Sequence, residues 1–192
     1  MAELTHRIAV EADIPALVAL MDRSITGPLA AFLTPDQIAA SRKLMGIDSQ
    51  IIADRSYVIV ESDGVMAGCG GWSGRITEYG GDHTPGRMPA HLTPGVDAAR
   101  IRAMYTAPEF VRQGVGRRIL GLCEAAARAA GYDRAELVAT LGGEPLYRAA
   151  GYAEIERFED ARGGVPVPLV RMAKSLDGGG DAAQPSEASS LA

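Results

Sequence analysis

The stretch Val111-Arg112-Gln113-Gly114-Val115-Gly116-Arg117-Arg118 constrains this chain more than any other, because of what flanks it. Before it stands an extended run, Arg100 to Thr106, and after it an apolar-periodic run from Val115 to Ala130. That order reads as strand, loop, helix. Two glycines one residue apart let the backbone turn sharply and approach a ligand without Cβ interference, so N–H groups at the helix start can converge on an anion. The helix dipole adds roughly 0.3–1 kcal/mol at an exposed site, and Arg112, Arg117 and Arg118 bring full charges. An ordinary strand-to-helix turn with a solvated basic first turn is the plain alternative, and the local sequence leaves both open.

Two familiar phosphate loops are excluded by spacing. After Gly114-Val115-Gly116 come Arg117, Arg118 and Ile119, so the third glycine of a dinucleotide fingerprint is absent. Gly116 and Gly121 have P-loop spacing, but Leu122 and Cys123 stand where Lys and Ser/Thr are required. What remains resembles the acyl-CoA pyrophosphate loop of the GCN5-related N-acetyltransferases (GNAT family), whose pattern is Arg or Gln, two residues, Gly, any residue, then Gly or Ala. Gly114 and Gly116 match. Val111 stands at the first position, with Arg112 and Gln113 supplying polar character one step later. Ile101 to Pro108 (IRAMYTAP) resembles the family's central strand and following turn, and Pro145 to Tyr152 (PLYRAAGY) its later helix. Together they cover Ile101 to Tyr152 in the family's order.

The resemblance implies an α/β (α+β) fold with a mixed central sheet, mostly antiparallel with one splayed parallel strand pair, and helices on both faces. It implies acetyl-CoA as cofactor. The strands at Arg100 to Thr106 and Arg134 to Thr140 would splay, with the pantetheine arm bonded to backbone near Met104 and Thr106. Arg112, Gln113, Gly114, Val115, Gly116 and Arg117 would hold the pyrophosphate. Tyr147 matches the family's position for the acid that protonates the leaving thiolate; its plainer reading is a core aromatic beside Leu146. A homodimer stays open.

At 192 residues with 47% hydrophobic and 22% charged residues, the chain suits one domain. We expect it over residues 1–174, with a disordered tail over 175–192, where Gly, Ser, Ala and Asp dominate. The formal charge of −5 argues against a nucleic-acid partner and suits a small cationic amine. Cys69 and Cys123 are the only cysteines and form no C-x-x-C, which supports neither zinc nor a disulfide framework. His83 and His91 lack ligand spacing with a second motif, so no metal is expected. A polar start and no long apolar run point to a cytoplasmic protein without membrane contact.

Taken in order, Asp13 caps a helix from about Ile14 with Ile14, Leu17, Val18 and Met21 as its stripe, and Thr34-Pro35-Asp36-Gln37 opens a second helix through a capping box. Asp48 to Ala53 forms a short third. Tyr57 to Glu61 and Val65 to Ser73 form a hairpin about Ser62-Asp63-Gly64. Gly68, Gly70 and Gly71 mark either close packing or a substrate cleft. Ser73 to Asp97 is irregular, a substrate-facing flap or a solvated insertion. The helix after the loop buries Val115, Ile119, Leu122 and Ala126, and further strands cover Arg134 to Thr140, Ala153 to Phe158 and Val165 to Ala173, with a short helix from Glu144 to Ala150.

Acetyl transfer to an amine raises two proton problems. An alkylammonium with pKa near about 10.4 is almost wholly protonated at neutral pH and must lose a proton before attack. The leaving thiolate, with pKa near about 8.5, can take one from a tyrosine. No motif marks the base; Glu61, Glu78, Asp82 and His83 are candidates by position. A non-catalytic acyl-CoA sensor that keeps the loop without turnover is the alternative to an enzyme.

Overall fold

The computed structural model describes residues 3–177. Within them lie seven strands, β1 (Leu4–Ile8), β2 (Tyr57–Ser62), β3 (Val65–Ser73), β4 (Ala99–Thr106), β5 (Arg134–Thr140), β6 (Ala153–Asp160) and β7 (Val167–Ser175). The five α-helices are α1 (Ile14–Thr26), α2 (Pro35–Leu44), α3 (Ser49–Ala53), α4 (Val115–Ala129) and α5 (Glu144–Ala149). The strands form one sheet in the order β1-β2-β3-β4-β5-β7-β6, in which only β4 and β5 run parallel. That parallel pair follows from the crossover through α4.

Alternation along β2 shows how the sheet is sandwiched. Val58 and Val60 pack with Ile119, Leu120 and Cys123 of α4, while Tyr57 and Ile59 pack with Leu17 and Leu20 of α1 and Ile51 of α3. With both faces covered, β2 reads as a continuous apolar run, as buried strands do. Each large side chain fully buried here contributes roughly 1.5–3 kcal/mol.

Local signals behave as their chemistry requires. Thr34 Oγ1 accepts from the Gln37 N–H at 3.3 Å while Gln37 Oε1 accepts from the Thr34 N–H at 3.0 Å, the reciprocal box that starts α2. The β2–β3 turn places Asp63 at φ 49° and Gly64 at φ 77°, the paired left-handed residues of a tight hairpin. Asp13 caps differently from expectation. Its carboxylate accepts from the Val10 N–H at 2.9 Å and from Arg7, closing the 3₁₀ turn at Glu11–Asp13 that precedes α1.

Two helices are rotated relative to the sequence reading. In α1 the buried set is Leu17, Leu20, Met21 and Ile25, and Val18 faces solvent; in α4 Val115 and Ile119 are buried as expected, Leu120, Cys123 and Ala127 join them, Leu122 is half-buried at the core's margin and Ala126 is exposed. Both sets satisfy helical spacing, so which one the sheet accepts is settled by the neighbouring surface. The body also runs further than residue 174. Leu176 is 1% exposed, its N–H donates to Asp133 O at 2.6 Å, and its carbonyl accepts from Arg128 Nε at 2.6 Å. The rest of the expected tail, 178–192, lies outside the described residues. Cys69 and Cys123 are free and buried on opposite faces of the sheet, and burial pushes both thiols up to about 12. No described helix is long and apolar enough to cross a membrane.

Candidate active site

The centre of the sheet is open. β4 and β5 pair only at Ala99 with Ala135 and Arg100 with Glu136; beyond those, β4 keeps β3 on one side and has no strand on the other. An unpaired strand edge inside a domain leaves backbone donors and acceptors for something else to bond. The opening coincides with a bulge: the β3–β4 register shifts between Cys69 and Gly71, and Ala103 is left-handed at φ 50°. The Tyr57 hydroxyl donates to the Ala103 carbonyl at 2.8 Å and pins it. Bulges re-aim the residues around them, and Met104 follows directly. Met104 and Thr106, both half-buried, lie on this free stretch.

At its end the strand feeds the cradle. Gly114 is left-handed at φ 86°, and the space a Cβ would fill there is empty to 4 Å. The first intrahelical bond of α4 runs from Arg118 N–H to Gly114 O at 2.9 Å, so the N–H groups of Val115, Gly116 and Arg117 have no acceptor within the helix, and no side chain caps them. α2 shows what a satisfied start looks like; α4 differs in ending on free donors, with exposed Arg112, Arg117 and Arg118 around it. An acyl-CoA pyrophosphate fits this arrangement. Val115 can contribute only its N–H, since its side chain is buried in the core. Gln113 uses its amide to donate to Glu109 O at 2.8 Å. Gly116 also has a packing task. A Cβ there would meet Leu146 Cδ2 at 2.9 Å, so its bareness seats α5 against α4.

Tyr147, on α5, reaches the opened edge. Its hydroxyl is 3.6 Å from Met104 Sδ, a weak acceptor, and its ring meets Tyr152 edge to face at 5.9 Å. Burial holds its pKa well above the ordinary phenol value. The group therefore stays protonated at neutral pH while its donor lacks a strong partner. Both readings of Tyr147 hold in part, since it is a packed aromatic and its oxygen faces the free strand.

The four candidate bases separate. Glu61 ion-pairs with Arg7 on the outer strands, and Asp82 binds Arg87 and the Ser49 N–H. His83 packs over Gly46. Only Glu78 forms an ion pair with a β4 residue, at 3.9 Å from Arg100, and it is held at 2.8 Å by Arg171. Gly68 and Gly70 serve packing: a Cβ on either would lie within 2.7 Å of Val115 or Ile119. The irregular residues between β3 and β4 are anchored, through Thr84 Oγ1 donating to Leu44 O at 2.8 Å, Arg75 to Asp54, and Arg87 to Asp48. Sequence reasoning missed that Asp48, Arg87 and Arg102 come together as buried charges. Asp48 is fully buried between the two arginines, with Arg87 Nη2 at 2.5 Å and Arg102 Nη1 at 2.5 Å, the latter an ion pair without hydrogen-bond geometry. The signal was Arg102 at an inward position of a central strand, since a buried charge requires a partner. Among the described residues no His, Cys, Asp and Glu cluster is suited to a metal.

Comparison with known proteins agrees with this geometry. The family model described as an acetyltransferase (GNAT) domain matches residues 53–154, more than half of the chain. No curated relative matches. Among solved structures, a GCN5-related N-acetyltransferase from Rhodopseudomonas palustris superposes with a TM-score of 0.69 at 19% identity, over 91% of this chain and 97% of that one. yncA from Salmonella typhimurium, solved with its cofactor acetyl-CoA, gives 0.59 at 16% identity, over 96% and 98%. The ribosomal-protein-S18-alanine N-acetyltransferase of Escherichia coli gives 0.56 at 16% identity, over 93% and 97%. The strand order, the opened parallel pair and the family match together make this chain a member of the GNAT acetyltransferases, enzymes that take the acetyl group from acetyl-CoA.

Proposed function

We propose that this enzyme acetylates a primary amine on a small molecule, cationic before transfer, by direct attack with Tyr147 as general acid. The observation that carries the proposal is the uncapped start of α4 at the end of β4's free edge, with the Tyr147 hydroxyl against Met104. The N–H groups of Gly114, Val115, Gly116 and Arg117 would hold the pyrophosphate, with Arg112 and Gln113 at its side, and the backbone near Met104 and Thr106 would bond the pantetheine arm. When bound, acetyl-CoA supplies an activated acetyl group and a thiolate leaving group.

The amine gives up its ammonium proton to solvent before its nitrogen forms the new C–N bond, and the same nitrogen releases a second proton to solvent as it becomes the neutral amide. As the C–S bond breaks, Tyr147 Oη donates its proton to sulfur and recovers one from solvent. Burial raises the Tyr147 pKa, so the group is protonated at neutral pH. A small acceptor is supported by how the opening is covered: a Cβ on Gly142, just past β5, would lie 3.3 Å from Leu29 and Phe32 of the α1–α2 connection. A panel of primary amines assayed for thiol release from acetyl-CoA, with products identified by mass spectrometry, tests this. Saturable acetyl-CoA binding with no thiol released on any amine would establish the sensor alternative instead.

A further inference from the structure

The Tyr147 hydroxyl has no strong acceptor to fix it: among the described residues its one hydrogen bond is to Met104 Sδ at 3.6 Å. Where Oη points is therefore decided by what holds the ring. The helix that carries it, α5, is only six residues long, too short to be rigid by itself. On one side the ring is bounded by Gly143, where an added Cβ would lie 3.2 Å from Tyr147 Cε2. On another it meets Tyr152, with centroids 5.9 Å apart and planes at 68°, the edge-to-face arrangement that aromatic rings favour. The Tyr152 N–H also donates to the Tyr147 carbonyl at 3.0 Å, so backbone joins the two residues as well as ring contact.

Tyr152 is itself held by two elements outside α5. Lys174 of β7 sets its Nζ 5.6 Å from the centre of the Tyr152 ring, within cation–π range. The same Nζ donates to both carboxylate oxygens of Glu124, on α4, at 2.9 Å. An ion pair so largely buried contributes little net stability, since desolvation offsets much of its attraction; what it supplies is a fixed place for the ring between α4 and β7. The Tyr152 hydroxyl is buried without a hydrogen-bond partner, so the ring is the part of this residue that the arrangement uses. The chain of contacts is continuous, from Glu124 through Lys174, Tyr152 and Tyr147 to Met104 on the free edge of β4.

We propose that Tyr152 is a positioning residue for acetyl transfer: its ring, seated by the Lys174–Glu124 pair, aims the Tyr147 hydroxyl at the leaving sulfur. The assignment rests on the general-acid reading of Tyr147 above and adds the residues through which the rest of the fold acts on that acid.

The test is a double-mutant cycle on kcat, measured on the full chain with acetyl-CoA and the best amine of the panel. Tyr152→Leu keeps an apolar core residue and removes the ring. Its kcat is expected to fall about ten- to hundredfold, since misplacement by an ångström is enough for such a loss, while amine KM and acetyl-CoA affinity by calorimetry stay within about twofold. Tyr152→Phe gives the ring back and should restore kcat to within about twofold of wild type. In Tyr147→Phe there is no hydroxyl to aim, so adding Tyr152→Leu should lower kcat by less than about twofold. Loss of acetyl-CoA binding would mark Tyr152→Leu as misfolded, and Lys174→Gln then takes its place in the cycle. That variant removes the cation over the ring, keeps a donor for Glu124, and should lower kcat about threefold only where the Tyr147 hydroxyl is present. Wild-type kcat in the ring-deleted or cation-deleted variant, an equal loss in both Tyr147 backgrounds, or no rescue by Tyr152→Phe overturns the positioning role. Wild-type kcat in Tyr147→Phe alone removes the acid itself, and with it anything for Tyr152 to aim.

Discussion

At Tyr147 one oxygen separates packing from chemistry. The ring is held by Tyr152 and the hydroxyl meets only a sulfur, so Tyr147→Phe keeps the packing and deletes the proton donor. General acid catalysis is typically worth about 10²–10⁴-fold. kcat should fall by roughly that factor, and acetyl-CoA affinity measured by calorimetry should stay within about twofold. Wild-type turnover in the Phe variant would reduce Tyr147 to a core aromatic. The two cradle glycines should respond differently. Gly114→Ala places a Cβ on a residue at φ 86°, a strain of about 1–2 kcal/mol that the free loop relieves by leaving the cradle shape, so acetyl-CoA affinity should fall by about tenfold. Gly116→Ala presses only on the flexible end of Leu146, so affinity should change little. Equal losses in the two variants would show that both glycines face the ligand.

At the scale of elements, α4 has to lie close to the sheet for its first turn to meet the end of β4. Glycines in β3 create that closeness. A Cβ on Gly68 would lie 2.7 Å from Val115 Cγ1 and 2.8 Å from the Tyr105 carbonyl, the latter backbone that cannot swing aside. Gly68→Ala should therefore cost about 1–3 kcal/mol in urea unfolding, as overpacked cores do. An unchanged midpoint would mean that α4 can retreat freely. The bulge at Ala103 acts on the same strand from the other side: with its carbonyl pinned by Tyr57, β4 turns its free edge toward β5 where the two have parted.

For the whole molecule, ion pairs hold loops and edges to the sheet, and their sign sets the response to acid. The Arg7 guanidinium hydrogen-bonded to Asp13, Arg75 to Asp54, and Arg148 to Glu144 each hold the carboxyl below its ordinary value. A group depressed in this way binds fewer protons folded than unfolded in acid, so its contribution is present above the ordinary carboxylate range and is lost as pH falls through the folded value. The urea midpoint should be flat from about pH 7 to 5 and decline below about pH 4. Equal midpoints at pH 5 and pH 3 would show that these pairs contribute nothing.

The sequence by itself determined what depends on local chemistry. The Thr34-to-Gln37 box, the Asp63-Gly64 turn and the strand-loop-helix order about Gly114 are each set by a few neighbouring residues, and each stands where it was expected. The family motif added the opened parallel pair. Only the tertiary structure decided what depends on residues distant in the chain. It chose Leu20 over Val18 and Leu120 over Leu122, because helical spacing allows two stripes and only a facing surface selects one. It gave Gly116 to Leu146, a neighbour thirty positions on, and kept Leu176 inside through Arg128 and Asp133. It also set Asp48 between Arg87 and Arg102, three charges from separate segments whose burial is tolerable only together.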